Sequence, residues 1–264
     1  MHDTPLSGKR VLVTRPRGQA GSLAELLEAR GARVAVMPLI EITPPSDPLA
    51  LERVVCMFSL DPAPYDWLVF TSANGVERFI AEAERLHVRA AACSQVRVAA
   101  VGPSTAAAIE RFGITPALVA REHRQEGLAR ELLDYATTRG RADDNSRAPA
   151  AADTAALLKT ARPSRPIRAL VARAETARDA LPNALREAGW LVDTIAVYKT
   201  VAVPREVLAG MRKSLELREF DAVVVTSPSG VASLCDALGE QAAAILKRVH
   251  IASIGPVTTE AATS

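Results

Sequence analysis

The chain has 264 residues, 48% of them hydrophobic and 23% charged, with a formal net charge of +2. This is the composition of a globular protein rather than a disordered or fibrous one, and so small and dispersed a charge argues against nucleic acid or a membrane surface as the main partner. Three scattered cysteines without CxxC spacing and four histidines without ligand spacing indicate neither a disulfide framework nor a metal site.

From the N-terminus, MHDTPLSGKR carries no apolar signal core, and no apolar run is long enough to span a bilayer, so a cytoplasmic protein is expected. A short, nearly continuous apolar run over 10–14 predicts a strand buried on both faces. Leu23, Leu26 and Leu27 then mark a helix, closed at Gly31 where a left-handed cap belongs. The TPPSDP segment over 43–48 predicts a non-helical crossing. Further strands are predicted over 67–71 and 96–101, with a helix marked by Val76, Phe79 and Ile80 between them. A helix from Thr105 to Gly113 and another near 126–135 follow. The stretch from about 140 to 165 breaks the periodicity with Ala, Pro, Arg and Asp and is expected to be an exposed, mobile insertion. Beyond it come a strand over 167–172, a helix with Leu181 and Leu185 closed at Gly189, and an alternating run over 197–204. Strands over 222–226 and 249–254 flank a helix with Val231 and Leu234. Alternation of this kind predicts an α/β protein built from parallel βαβ units.

The chain repeats itself. VLVTR ending at Arg15 returns as ALVAR ending at Arg173; YDWLVFTSANGV returns as FDAVVVTSPSGV; and VAAVGPST returns as IASIGPVT. The offset is 158 residues from Arg15 to Arg173, 155 from Gly75 to Gly230 and 153 from Gly102 to Gly255. Two similar lobes are implied. The counterpart of Gly113 would fall beyond Ser264, so the second copy stops early, and the chain is read as a fragment of something longer.

Each repeated motif follows a strand and opens a helix, where free backbone N–H groups and hydroxyls gather and anions bind. The candidates are Thr71 and Ser72 with Ser227 and Ser229 in the TS motifs, and Ser104 and Thr105 with Gly255 and Thr258 in the GP motifs. Ordinary N-capping is the competing reading for the serines. Arg15 and Arg173 end strands at the edge where open α/β sheets bind ligands, and a guanidinium there suits a carboxylate or phosphate, unless a local acid claims it. Tyr198, in AVYKT, offers a phenol that donates while neutral. No dinucleotide fingerprint, phosphate loop or nucleophile elbow is present.

The ordered set VLVTRP, FTSANGV, VGPST, ARAETARDALPNALREAG, TIAVYKTV, VTSPSGV and IGPVTT resembles the uroporphyrinogen-III synthase family. The resemblance implies two flavodoxin-like, doubly wound parallel-sheet lobes, one of residues 1–40 plus 197–264 and the other of 41–196. They would be joined by a two-stranded connection, with an interdomain cleft. It implies a monomeric carbon–oxygen lyase of tetrapyrrole (heme) biosynthesis, free of cofactor and metal. That enzyme cyclises hydroxymethylbilane with loss of water and inversion of ring D through a spirocyclic pyrrolenine. Tyr198 matches the family's cleft tyrosine and is the candidate for assisting departure of the hydroxyl, as a helper rather than an indispensable acid, and Thr105, Ser227 and Thr258 match positions that line the cleft. Two other readings stand beside it, a two-lobed small-anion binding protein and a sugar-phosphate isomerase-like domain. The isomerase would need a Glu or His base beside a TS motif, and the sequence places none there.

Overall fold

The computed structural model describes residues 4–145 and 165–264. The chain runs β1 (Arg10–Val13), α1 (Arg17–Glu28), β2 (Arg33–Val36), β3 (Ile40–Thr43), α2 (Pro48–Cys56), β4 (Trp67–Phe70), α3 (Ala73–Arg85), β5 (Arg97–Ala100), α4 (Pro103–Glu110), β6 (Leu118–Val119) and α5 (Gln125–Asn145). It continues through β7 (Arg168–Ala174), α6 (Ala180–Glu187), β8 (Leu191–Ala202), α7 (Ala209–Glu216), β9 (Ala222–Val225), α8 (Pro228–Leu238), α9 (Ala242–Leu246), β10 (His250–Ser253) and α10 (Pro256–Thr263). Helix α5 extends through 139–145, into the stretch read from composition as an insertion; residues 146–164 lie outside the described residues.

The chain divides into two compact units, Met1–Thr43 with Thr200–Ser264, and Pro44–Lys199. The first holds a four-stranded sheet of order β10-β9-β1-β2; the six-stranded sheet has order β3-β8-β7-β4-β5-β6, with β3 and β8 carrying the chain from one unit to the other. Strands β9, β1 and β2 pair in parallel, as do β8, β7, β4, β5 and β6. In space, β8-β7-β4-β5-β6 follows the flavodoxin order 2-1-3-4-5, and the four strands β2-β1-β9-β10 follow its first four positions, 2-1-3-4. They differ in where the chain enters: at the first position in one sheet and at the third in the other.

The duplication is kept to the residue. Val13 pairs with Val224 and with Val36, and their counterparts Val171, Val69 and Thr194 pair in the same way. Val69 faces Ala99 as Val224 faces Ala252. Each half of the sequence therefore lends strands to the other half's sheet. Strand β8 is the unbroken counterpart of β2 and β3 together; Pro38, which cannot donate to a ladder, stands between those two where Ala196 stands in β8. One aspartate clip also recurs. The Asp66 carboxylate accepts the backbone N–H of Arg168 at 2.8 Å, and Asp221 that of Arg10 at 2.7 Å, which with the neighbouring Lys9 and Arg10 charges holds the Asp221 carboxyl below the usual range.

Alternation along each strand divides the cores. In β4, Trp67 and Val69 join Leu128, Leu132, Leu181 and Leu185 of α5 and α6, while Phe70 meets Phe79 of α3. In β1, Leu12 packs with Val231 and Leu234 of α8, and Val11 and Val13 with Ala20 of α1.

Helices α1 and α6 close alike. Gly31 and Gly189 have φ of 91° and 88°, and the next residues, Ala32 and Trp190, donate back to Leu27 and Leu185. A Cβ at Gly189 would meet nothing within 4 Å, so the left-handed backbone alone sets the cost of a side chain there. We expect Gly189→Ala to destabilise the protein by about 1–2 kcal/mol in chemical denaturation; a loss below a few tenths would contradict this.

Candidate active site

In a doubly wound sheet, ligands bind beyond the carboxyl ends of adjacent strands whose following helices go to opposite faces. In the Pro44–Lys199 unit those strands are β4 and β7, because α3 packs on one face and α6 on the other. In the other unit they are β1 and β9, followed by α1 and α8. The TS motifs and both strand-ending arginines sit at these two points.

At the β4/β7 corner, Thr71 and Ser72 lead into α3. The Ser72 backbone is extended, and its Oγ accepts the Gly75 N–H at 3.0 Å, a true N-cap. The same Oγ lies 3.1 Å from the Tyr198 hydroxyl. A bulge between Arg173 and Ala174 moves Tyr198 opposite Ala174, and the tyrosine is 7% exposed. A Cβ on Gly75 would come within 3.2 Å of Ser72 Oγ and reach Val197 and the Ala172 carbonyl, so this glycine lets α3 sit close against β7 and β8. Arg173 is taken up locally: it pairs with Asp179 at 2.7 Å and donates to the carbonyls of Ala177 and Arg178.

Beside this corner, the Ser46 N–H donates to Glu175 at 2.8 Å, and Lys199 Nζ lies 3.5 Å from Ser46 Oγ. The Ser46 N–H and hydroxyl, with the Lys199 charge, hold the Glu175 carboxyl below its ordinary value of about 4.5. A carboxyl lowered on folding stabilises its tether fully above the unfolded value, and the tether is lost as pH falls through the lowered folded value. The Ser46 amide resonance is therefore expected to titrate at a midpoint below about 4.5, and to lose that step in Glu175→Gln; a step that persists in the variant would contradict the assignment.

At the β1/β9 corner, Ser227 caps α8 through the Gly230 N–H at 3.1 Å, with Ser229 Oγ also 3.1 Å away. The residue 158 positions before Tyr198 is Ile40, so no phenol occurs at the equivalent place. Arg15 makes no ion pair or side-chain hydrogen bond among the described residues, whereas its counterpart Arg173 is engaged. The Thr14 hydroxyl is bound to the Val224 carbonyl at 2.8 Å. The two corners differ: one has a guanidinium with no partner among the described residues, and the other has a phenol.

The GP motifs open α4 and α10 with no side-chain cap and with proline, which has no N–H, at the first helical position; the Thr105 N–H donates to the Gly102 carbonyl at 3.1 Å, which leaves the N–H groups of Ser104, Val257 and Thr258 without a hydrogen-bond partner among the described residues. Ser104 is exposed, while Thr105 and Thr258 are 1% and 5% exposed and face the interior. Gly102 and Gly255 are extended, a backbone any residue adopts. The space a Cβ at Gly102 would take is filled by the His123 ring, 3.2 Å away, whereas nothing stands within 4 Å at Gly255.

His123 and the Ser46–Glu175 tether escape sequence reasoning because each is a contact between separate elements with no local pattern. Tyr65 does not compete with Tyr198 as a proton donor. It lies at the opposite strand ends, and burial, with the Asp193 carboxylate, pushes its hydroxyl up to about 12. No described helix is long and apolar enough to cross a membrane.

A sequence model of the family described as uroporphyrinogen-III synthase HemD matches residues 21–142 and 134–264. A uroporphyrinogen-III synthase of Synechococcus elongatus is 29% identical over 98% of this chain and 87% of its own length. A protein of Methanocaldococcus jannaschii named a putative uroporphyrinogen-III synthase is 25% identical over 95% and 87%. Among solved structures, a mutant uroporphyrinogen III synthase of Thermus thermophilus shares the fold with a TM-score of 0.60 at 18% identity, over 96% of this chain and 88% of its own. With nearly its whole length matched, the chain belongs to the uroporphyrinogen-III synthase family.

Proposed function

We propose that this protein converts hydroxymethylbilane into uroporphyrinogen III as a monomeric, cytoplasmic carbon–oxygen lyase that needs no cofactor. The observation that carries the reading is the doubled set of strand-to-helix corners, two capped by serine and two uncapped, at the carboxyl ends of both sheets. A linear tetrapyrrole with eight carboxylates needs many anion contacts. The uncapped first turns supply the backbone N–H groups of Ser104, Val257 and Thr258, Ser104 and Ser229 supply exposed hydroxyls, and Arg15 supplies a guanidinium with no partner among the described residues.

In the first step the carbon–oxygen bond of the hydroxymethyl group breaks. The oxygen keeps the electron pair, takes the Tyr198 proton and leaves as water, giving an azafulvene cation and a tyrosinate. Closure through the spirocyclic pyrrolenine inverts ring D, and the pyrrole proton released on rearrangement returns to the Tyr198 oxygen. Because the unassisted reaction closes the ring without inversion, the protein acts mainly by holding one folded substrate conformation and stabilising developing charge. Family membership favours this reading over the small-anion binder and the isomerase-like domain.

The test is to supply hydroxymethylbilane and separate the type I and type III isomers. Type III in excess is expected; type I alone, at the spontaneous rate, overturns the proposal.

A further inference from the structure

Resting on that reading, we infer that Ser72 is a positioning residue: anchored by the first turn of α3, it holds and polarises the Tyr198 phenol for proton donation and does not itself bind substrate. Ser72 Oγ receives the Gly75 N–H at 3.0 Å, so its own proton is not used in capping. Its other hydrogen-bond neighbour among the described residues is the Tyr198 hydroxyl at 3.1 Å. When the phenol proton points at the leaving oxygen, the Ser72 hydroxyl donates to the phenol oxygen. The result is a chain from Gly75 N–H through Ser72 O–H and Tyr198 O–H to the substrate, in which each group donates once. Such chains strengthen cooperatively. As the proton leaves, negative charge grows on the Tyr198 oxygen, which faces a hydroxyl donor at the N-terminus of a 13-residue helix, where negative charge is stabilised.

The repeat supplies a natural comparison. Ser227 caps α8 with the same geometry, but the second hydroxyl beside it is that of Ser229 rather than a phenol. A Cβ at Gly230 would meet only Ser227 Oγ, whereas one at Gly75 would also reach the two strands that carry Arg173 and Tyr198. The first turn of α3 therefore lies close to β7 and β8, with Ser72 Oγ in hydrogen-bond reach of the Tyr198 hydroxyl, whereas the first turn of α8 has no such neighbour at the equivalent glycine.

The test separates capping from donation. Glycine is nearly as good an N-cap as serine and alanine a poor one, yet both remove the hydroxyl. We expect Ser72→Gly and Ser72→Ala to lose kcat alike, by roughly tenfold to a hundredfold, with KM little changed, although only Ser72→Ala loses much thermal stability. Ser72→Thr, which keeps the hydroxyl, should restore most of the turnover. In a Tyr198→Phe background Ser72→Gly should cost nothing further. With 13Cζ-labelled tyrosine, the resonance assigned to residue 198 should shift in Ser72→Gly and hold its place in Ser72→Thr.

Turnover in Ser72→Gly within about twofold of the parent overturns the inference, since the serine would then be a cap only. So does additivity with Tyr198→Phe, a resonance that does not move, or a Ser72→Thr variant as slow as Ser72→Gly. A parent protein that forms only the type I isomer overturns the proposed function itself and the catalytic part of this inference with it. Type III from the parent with any of the other contrary results overturns the inference alone.

Discussion

Replacing Phe79 by alanine lowers the unfolding free energy of the Pro44–Lys199 unit by about 3–5 kcal/mol, the range for removing a fully buried aromatic ring. Phe79 is wholly buried and joins two rings edge-on, Phe58 at 5.5 Å and 85° and Phe70 at 5.6 Å and 80°. Its truncation empties the contact between α3 and β4 and forfeits both aromatic pairs. Both tryptophans, Trp67 and Trp190, lie in this unit, so their fluorescence follows its denaturant transition separately from the rest of the chain. A midpoint that moves by less than the equivalent of about 1 kcal/mol would show that the site collapses around the lost ring.

Tyr198→Phe is expected to lower kcat for type III formation about tenfold to a hundredfold while KM stays within about twofold. Proton donation by a positioned side chain is commonly worth more than this, but the carbinol hydroxyl departs without help in the spontaneous reaction, which lowers the share left to the phenol. Among the described residues the ground state loses one hydrogen bond, that to Ser72, worth about 1 kcal/mol, so the variant remains folded. Initial rates measured with isomer separation give the answer. Unchanged turnover removes Tyr198 from the chemistry.

The strands that were plain in the sequence are those buried on both faces. Leu12, Leu68, Val69 and Leu170 are wholly buried, and their segments read as apolar runs. Strand β2 did not stand out because its residues are exposed or only half-buried, and the two-residue β6 is too short to show a period. Helix α2 was hidden by the prolines of TPPSDP, although Asp47 as N-cap and Pro48 in the first turn were its signals. At the candidate site, the capping role of Ser72 and Ser227 was open to sequence reasoning because it spans three residues. The local claim on Arg173 was open for the same reason, since Asp179 is six residues away. The Ser72–Tyr198 contact joins residues 126 apart and depends on a bulge, a feature that a composition pattern does not encode.

The exchange of strands between the two sequence halves has a consequence for biosynthesis. As the chain emerges from the ribosome, β1 and β2 come first, yet the neighbour that β1 requires, β9, begins only at Ala222. The Pro44–Lys199 unit is continuous and gathers all its own strands in the meantime. Long-range pairing of this kind is slow, so the nascent polypeptide completes its middle first and carries an unfinished leading pair of strands until its closing segment arrives.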